Sequence, residues 1–221
     1  IVFDDADLDK AVEGAIAAKF RNMGQTCVCT NRLYVQSGIH DRFVAAFAKA
    51  VEALKVGPGD QEGVVQGPLI TQRAVEKVER HVKDATAKGA KIVTGGQRHT
   101  LGGTFYTPTV LTRATTAMDL AHEETFGPVA AVFRFDHEEE VVRLANATLY
   151  GLAAYFYTRD ISRAFRVADE IEAGMIGINA GILGNEVAPF GGVKESGLGR
   201  EGGRHGIEEF VEMKYLLVGG L

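Results

Sequence analysis

Strand-sized apolar runs alternate with amphipathic helical repeats over most of this chain, and few architectures accept that order. Asp4, Asp5, Asp7 and Asp9 crowd the start of a helix predicted to reach about Arg21, where acidic groups suit the positive end of a helix dipole. Residues 32–36 read as a strand, and Phe43, Val44, Phe47, Val51 and Leu54 mark one face of the next helix. Residues 57–67, with a Gly-Pro pair at each end, form a loop. Val75, Val78, Val82 and Ala85 mark a further helix that stops near Gly89. Strands are predicted near 91–94, 105–112 and 128–135, a helix near 138–147, then strand 152–157, helix 161–173 and strand 175–179. The opening Ile1-Val2-Phe3 reads as a strand already under way, as if the N-terminus were cut rather than natural. Repeated strand–helix–strand order implies an α/β fold with an open, largely parallel, doubly wound sheet covered on both faces.

The pattern changes near the end. Residues 181–206 are rich in glycine and nearly free of periodicity, and loops of that length in compact domains are usually functional. A short helix near 203–210 and a final strand near 213–219 follow. The expected organisation is therefore a thiol-bearing α/β domain over 1–200 and a C-terminal helix and strand over 201–221. An apolar strand such as Tyr215-Leu216-Leu217-Val218 needs an edge to pair with, which a second copy in a homo-oligomer would supply.

Composition narrows the function. With 24 Lys and Arg against 29 Asp and Glu, the net charge of −5 argues against nucleic acid and against an anionic membrane surface. Apolar runs such as 151–157 are too short to span a bilayer, and no targeting segment is visible. Two cysteines one residue apart cannot form a disulfide framework, so a reducing compartment such as the cytoplasm is expected.

Chemistry concentrates in Phe20-Arg21-Asn22-Met23-Gly24-Gln25-Thr26-Cys27. A thiol placed after a helix end and a glycine sits on a tight turn, where backbone N–H groups can face the oxygen of a carbon under attack. A small buried residue is the alternative reading of a cysteine taken alone. Cys29 reads either as a buried spectator or as the partner of a reversible bond that shields Cys27. A zinc site is not expected, because no His or Cys cluster completes a tetrahedral set. Gly197-x-Gly199-x-x-Gly202 matches the dinucleotide fingerprint in letters only: no apolar strand leads in, and too little chain follows for a βαβ unit.

The octapeptide ending in Cys27 resembles the active-site segment of the aldehyde dehydrogenase superfamily. The likeness continues in His122-Glu123-Glu124-Thr125-Phe126-Gly127-Pro128, and in Pro189-Phe190-Gly191-Gly192 with Lys194, Ser196, Gly197, Gly199, Arg200 and Glu201. Three long motifs in one order make the resemblance specific over almost the whole chain. It implies a catalytic-domain fragment whose N-terminal dinucleotide-binding domain is absent and which is inactive alone. Cys27 would add to an aldehyde, hydride would pass to NAD or NADP, and water would cleave the thioester with an upstream glutamate as base.

The same resemblance assigns Glu124 to the nicotinamide ribose and Phe126 to the nicotinamide face. A carboxylate suits a vicinal diol because it accepts from both hydroxyls. Glu123 reads as a solvated loop residue. Glu201 resembles an interior glutamate that assists proton relay, with a helix-cap or ion-pair role as the alternative. Arg200 and Glu212 would form a structural ion pair. Arg21 and Phe190 would line the substrate pocket, Arg21 gripping a distal carboxylate with two parallel bonds, or else lying on the surface at a helix end. The Lys-Phe-Arg-Asn run, the Cys-Val-Cys spacing and the Asn185–Phe190 stretch resemble succinate-semialdehyde dehydrogenases. Gly184 stands where that group would have a serine, which leaves glutarate semialdehyde open, since one methylene is worth only about 1–3 kcal/mol. The competing classes are a cofactor-free cysteine hydrolase, which would need a positioned histidine, and a non-catalytic module that self-associates through its last strand.

Overall fold

The computed structural model describes residues 1–220; Leu221, the last residue of the expected C-terminal unit, lies outside them. The elements run α1 (Leu8–Phe20), β1 (Arg32–Gln36), α2 (His40–Glu52), α3 (Gln72–Ala87), β2 (Lys91–Thr94), β3 (Thr109–Ala114), β4 (Val129–Phe135) and α4 (Glu138–Asn146). They continue with β5 (Tyr150–Gly151), β6 (Ala153–Phe156), α5 (Ile161–Glu170), β7 (Met175–Ile178) and β8 (Val193–Lys194).

One sheet is ordered β1-β4-β3-β2, with β1 and β3 parallel to β4 and β2 antiparallel at the edge. A second is the parallel pair β6-β7. Val2 joins them, bridging in parallel to Val35 on one side and Tyr157 on the other, so the opening tripeptide is a central strand of the sheet. The two faces are separated by residue parity. Val2, Leu33, Val35, Val110, Ala130 and Val132 pack in the cluster of α1 and α2. Phe3, Tyr34, Leu111, Ala131, Phe133 and Phe135 pack with α3, α4 and α5. Side chains alternate across a strand, so a sheet apolar at both parities must be covered twice.

Several boundaries differ from expectation, each for a local reason. The strand expected at 105–112 starts only at Thr109, because Pro108 has no N–H to donate to a ladder. Helix α5 stops at Glu170, where the Asn146 amide donates to the Glu170 carbonyl and accepts from the Glu172 N–H, replacing the next helical turn. Of the opening acids, Asp7 caps α1 through the Lys10 N–H. Asp5 instead binds the Thr158 hydroxyl, the Arg159 and Asp160 N–H groups and Arg163. Burial alone would raise the Asp5 pKa, but those donors and the Arg163 charge outweigh it and hold the carboxyl below its usual value.

The C-terminal stretch departs most. Where a helix was expected near 203–210 there is only a 3-10 turn at Glu208–Phe210, and residues 211–220 form no ladder. Met213, Tyr215, Leu216 and Leu217 are exposed. A strand exists only through a paired edge, and residues 211–220 pair with none of the other described segments. No helix of the described residues is long and apolar enough to cross a membrane.

Candidate active site

Helix α1 ends against a buried donor: Gln66 Nε2 gives a hydrogen bond of 2.8 Å to the Phe20 carbonyl. The chain then reverses through three successive left-handed residues, Asn22, Met23 and Gly24. A non-glycine residue holds that conformation only when its surroundings over-determine it. Here the Met23 side chain is sunk into the core, and Asn22 and Gln25 exchange amide–carbonyl bonds. Gly24 must lack a side chain, because a Cβ there would stand 2.3 Å from the Gly127 carbonyl oxygen. The thiol loop and the loop bearing Phe126 therefore touch backbone to backbone.

Thr26–Cys29 closes as a turn through a 2.9 Å bond from the Cys29 N–H to the Thr26 carbonyl. Cys27 sits at its second position with an exposed thiol, while the Val28 side chain is buried as an anchor. The Val28 carbonyl points inward and accepts the Tyr155 hydroxyl at 2.9 Å. The Cys29 Sγ–H lies 3.8 Å from the Arg21 carbonyl. Both thiols are free. Cys27, Cys29 and Glu124 share the wall of a cavity of about 660 Å³, within the range of small-molecule sites. Arg21, Phe126, Phe190 and Glu201 are not on that wall.

The loop that carries the second motif is keyed in from behind. The Asn31 amide donates to the Leu120 carbonyl and accepts the Thr125 N–H, tying the thiol segment to both sides of that loop. Glu123 is exposed, as expected of a solvated loop residue, and is also gripped: Arg80 donates to both its oxygens, and Lys77 and the buried His81 lie 3.3 and 3.2 Å away. The Arg80 hydrogen bonds, helped by His81 and Lys77, pull its pKa down to about 2. Its neighbour Glu124 faces the cavity. The protein packed around that carboxyl raises its pKa above the usual glutamate value, against the opposing charges of Lys19 and Lys77. Phe126 is in the left-handed region at φ 51° with its ring exposed.

Sequence reasoning missed three residues of this neighbourhood: Asn31, Tyr155 and Lys19. Lys19 is 2% exposed on α1, and burial drives its pKa down to about 8, partly offset by Cys29 and Glu124. An ionisable residue on the buried stripe of a helix is the signal that would have found it.

The third motif is differently placed. Phe190 and Glu201 are joined by reciprocal backbone bonds of 2.7 and 2.8 Å. Phe190 is half-buried, whereas Glu201 is exposed, not interior as the resemblance implied, because it is anchored by backbone alone with nothing packed over it. Arg200 does not pair with Glu212. Its guanidinium donates to the Gly192 and Gly199 carbonyls, acceptors that the glycine-rich loop leaves unused. Arg21 is exposed at the end of α1, and Gly184 stands in open space. His122, the one histidine on the cavity wall, donates its Nε2–H to the Thr116 carbonyl at 2.7 Å. Among the described residues no group of His, Cys, Asp and Glu side chains could hold a metal ion.

The residues present fit a nicotinamide cofactor at one end: Glu124 offers two acceptors on the cavity wall, and Phe126 a bare aromatic face nearby in sequence. A family model described as the aldehyde dehydrogenase family matches residues 1–216. The chain is 61% identical over its whole length to a 3-sulfolactaldehyde dehydrogenase of Pseudomonas putida, of which it covers 46%. It is 58% identical to a glutarate-semialdehyde dehydrogenase of Pseudomonas aeruginosa, again over the whole chain and 46% of the relative. The crystal structure of a succinate-semialdehyde dehydrogenase from Burkholderia pseudomallei superposes with a TM-score of 0.97 at 61% identity, over 98% of this chain and 45% of that one. The chain thus spans a little under half the length of these relatives.

Proposed function

The chain belongs to the aldehyde dehydrogenase family, and from that premise we propose that it is the thiol-bearing part of an NAD- or NADP-dependent enzyme that oxidises a short aldehyde with an anion at its far end. Succinate semialdehyde, giving succinate, is the first candidate; glutarate semialdehyde is the second. The observation that carries the reading is the exposed Cys27 thiol at the corner of a keyed turn, in one cavity wall with Glu124. Two named relatives act on aldehydes whose other end is a sulfonate or a carboxylate, and Arg21 stands six residues before the thiol. A guanidinium binds either anion through charge-assisted hydrogen bonds.

In the reaction, Cys27 Sγ as thiolate bonds to the carbonyl carbon while the C=O π pair moves onto oxygen. The Cys27 N–H has no protein acceptor among the described residues and is free to donate to that oxyanion. When bound, the cofactor supplies the acceptor for the hydride that leaves the carbon as the thioester forms. Glu124 would hold the ribose hydroxyls and Phe126 the nicotinamide ring. Water then cleaves the C–S bond, releasing acid and thiolate; the base for that step is expected from outside this chain, with Glu201 assisting the proton's exit. Phe190 would close the pocket, Cys29 would guard Cys27 by a reversible disulfide, and the apolar segment 213–219 would pair with a second copy. Two free thiols suit the cytoplasm.

The test is kinetic, on the intact protein that carries this chain. Cys27→Ala should cut turnover by about 10⁴-fold or more, as loss of a nucleophile does. Arg21→Met should lower kcat/KM for succinate semialdehyde about 10- to 100-fold, the value of one charge-assisted pair, while butanal changes little. Full turnover in Cys27→Ala would end the reading, and equal losses for butanal would end the role of Arg21.

A further inference from the structure

We propose that Tyr155 is a positioning residue for the nucleophile, its hydroxyl holding the Val28 carbonyl and thereby setting the corner on which Cys27 stands. This deepens the reading of Cys27 given above. The bond is 2.9 Å, buried, and spans 127 residues, so nothing local would form it. Val28 lies between the two cysteines. Turning its carbonyl inward orients the following peptide so that the Cys29 N–H meets the Thr26 carbonyl, and that second bond closes the turn.

The scaffold behind the hydroxyl is built for it. Tyr155 lies on β6 opposite Gly177 of β7, and a Cβ at Gly177 would fall 2.9 Å from the tyrosine ring. Glycine at that position leaves the slot in which the ring lies, and the ring is thereby aimed at the thiol loop. Burial, with the charges of Cys29 and Cys27 nearby, pushes the Tyr155 hydroxyl up to about 12, so it stays a protonated donor through the working pH range. Two residues along, Tyr157 provides a natural control. It is equally buried, yet its hydroxyl has no partner among the described residues. The two tyrosines differ in whether the hydroxyl reaches the thiol turn.

The experiment compares Tyr155→Phe with Tyr157→Phe in hydrogen exchange and in thiol labelling by iodoacetamide, read by mass spectrometry. Tyr155→Phe should raise amide exchange across residues 26–30 about ten-fold and lower the preference of labelling for Cys27 over Cys29 about five-fold. Tyr157→Phe should change neither. In the intact protein Tyr155→Phe should lower kcat about ten-fold with KM for the aldehyde altered less than two-fold. Replacement of Tyr155 by 4-aminophenylalanine, which keeps a donor at the ring's far end, should restore the exchange and labelling patterns, separating a lost bond from lost packing. If Tyr155→Phe matches Tyr157→Phe in exchange and labelling, the proposal is wrong, whatever the protein oxidises. If the turn loosens as expected, it stands even if the substrate assignment fails.

Discussion

Residues 21–31 and residues 182–206 both carry motif residues on glycine-dependent backbone, yet they are held in opposite ways. The first loop buries Met23 and Val28 as anchors; Gln66 holds the Phe20 carbonyl at its entrance, Tyr155 of β6 holds Val28, and its own Asn31 reaches the Leu120 carbonyl. The second is tied to the body mainly at 193–196, where Lys194 meets Glu172 and the Asn146 carbonyl and Ser196 accepts the Gly151 N–H. Elsewhere it binds itself, through the Phe190–Glu201 bridge and the Arg200 contacts, and Leu198 is fully exposed. A loop acquires one geometry when side chains from several elements specify it, and glycine alone only permits that geometry.

The sharpest way to break this contrast is a pair of glycine substitutions. Gly24→Ala forces a Cβ into the Gly127 carbonyl at a left-handed position, and about 3 kcal/mol or more of stability should be lost. Gly184→Ala also meets a positive φ, 129°, but in open space, and should cost about 1–2 kcal/mol. Urea denaturation measures both, and equal losses would erase the distinction.

A second comparison sets Lys19 against Lys194. Lys19 is buried without an ion-pair partner among the described residues, whereas Lys194 is met by Glu172. The folded pKa of Lys19, about 8, lies below its ordinary value of 10.5, so its charged form opposes folding. Lys19→Met should therefore stabilise the chain by about 2 kcal/mol below pH 8. The gain should shrink as pH rises from 8 to 10.5, where the unfolded amine also loses its proton. A stabilisation that persists above pH 10.5 would trace to packing instead.

The smallest effect concerns the grip on Glu123. Its folded pKa of about 2 is depressed, so its contribution is complete above pH 4.5 and disappears as pH falls toward 2. Nearly half of the side chain is exposed, and solvent screening reduces the contribution to about 1 kcal/mol. Glu123→Gln should cost that much at pH 6 and almost nothing at pH 2.5. An undiminished cost at low pH would assign the effect to shape.

Much of the framework was legible beforehand because its signals are local. Residues 32–36 form a strand as expected, and Val75, Val78, Val82 and Ala85 form the buried face of α3. Where reading failed, the deciding partner lay far along the chain or on no described part of it. The partners of the exposed Glu123 were not legible because Arg80 and His81 arrive from α3. Arg200 was matched to Glu212 on charge, although free carbonyls lay closer. Tyr155 was not singled out, and Lys19 entered only as part of the Lys-Phe-Arg-Asn run, because the partners of both lie far along the chain.

Periodicity, breakers and the three motifs sufficed to dictate a doubly covered parallel sheet and to single out the thiol, because each depends on residues a few positions apart. The order of the strands decided the rest: which carbonyl Tyr155 reaches, which loop Gly24 touches, and which acid His81 meets. Such contacts join residues dozens to more than a hundred positions apart, and they exist only once the sheet has assembled to set those residues side by side.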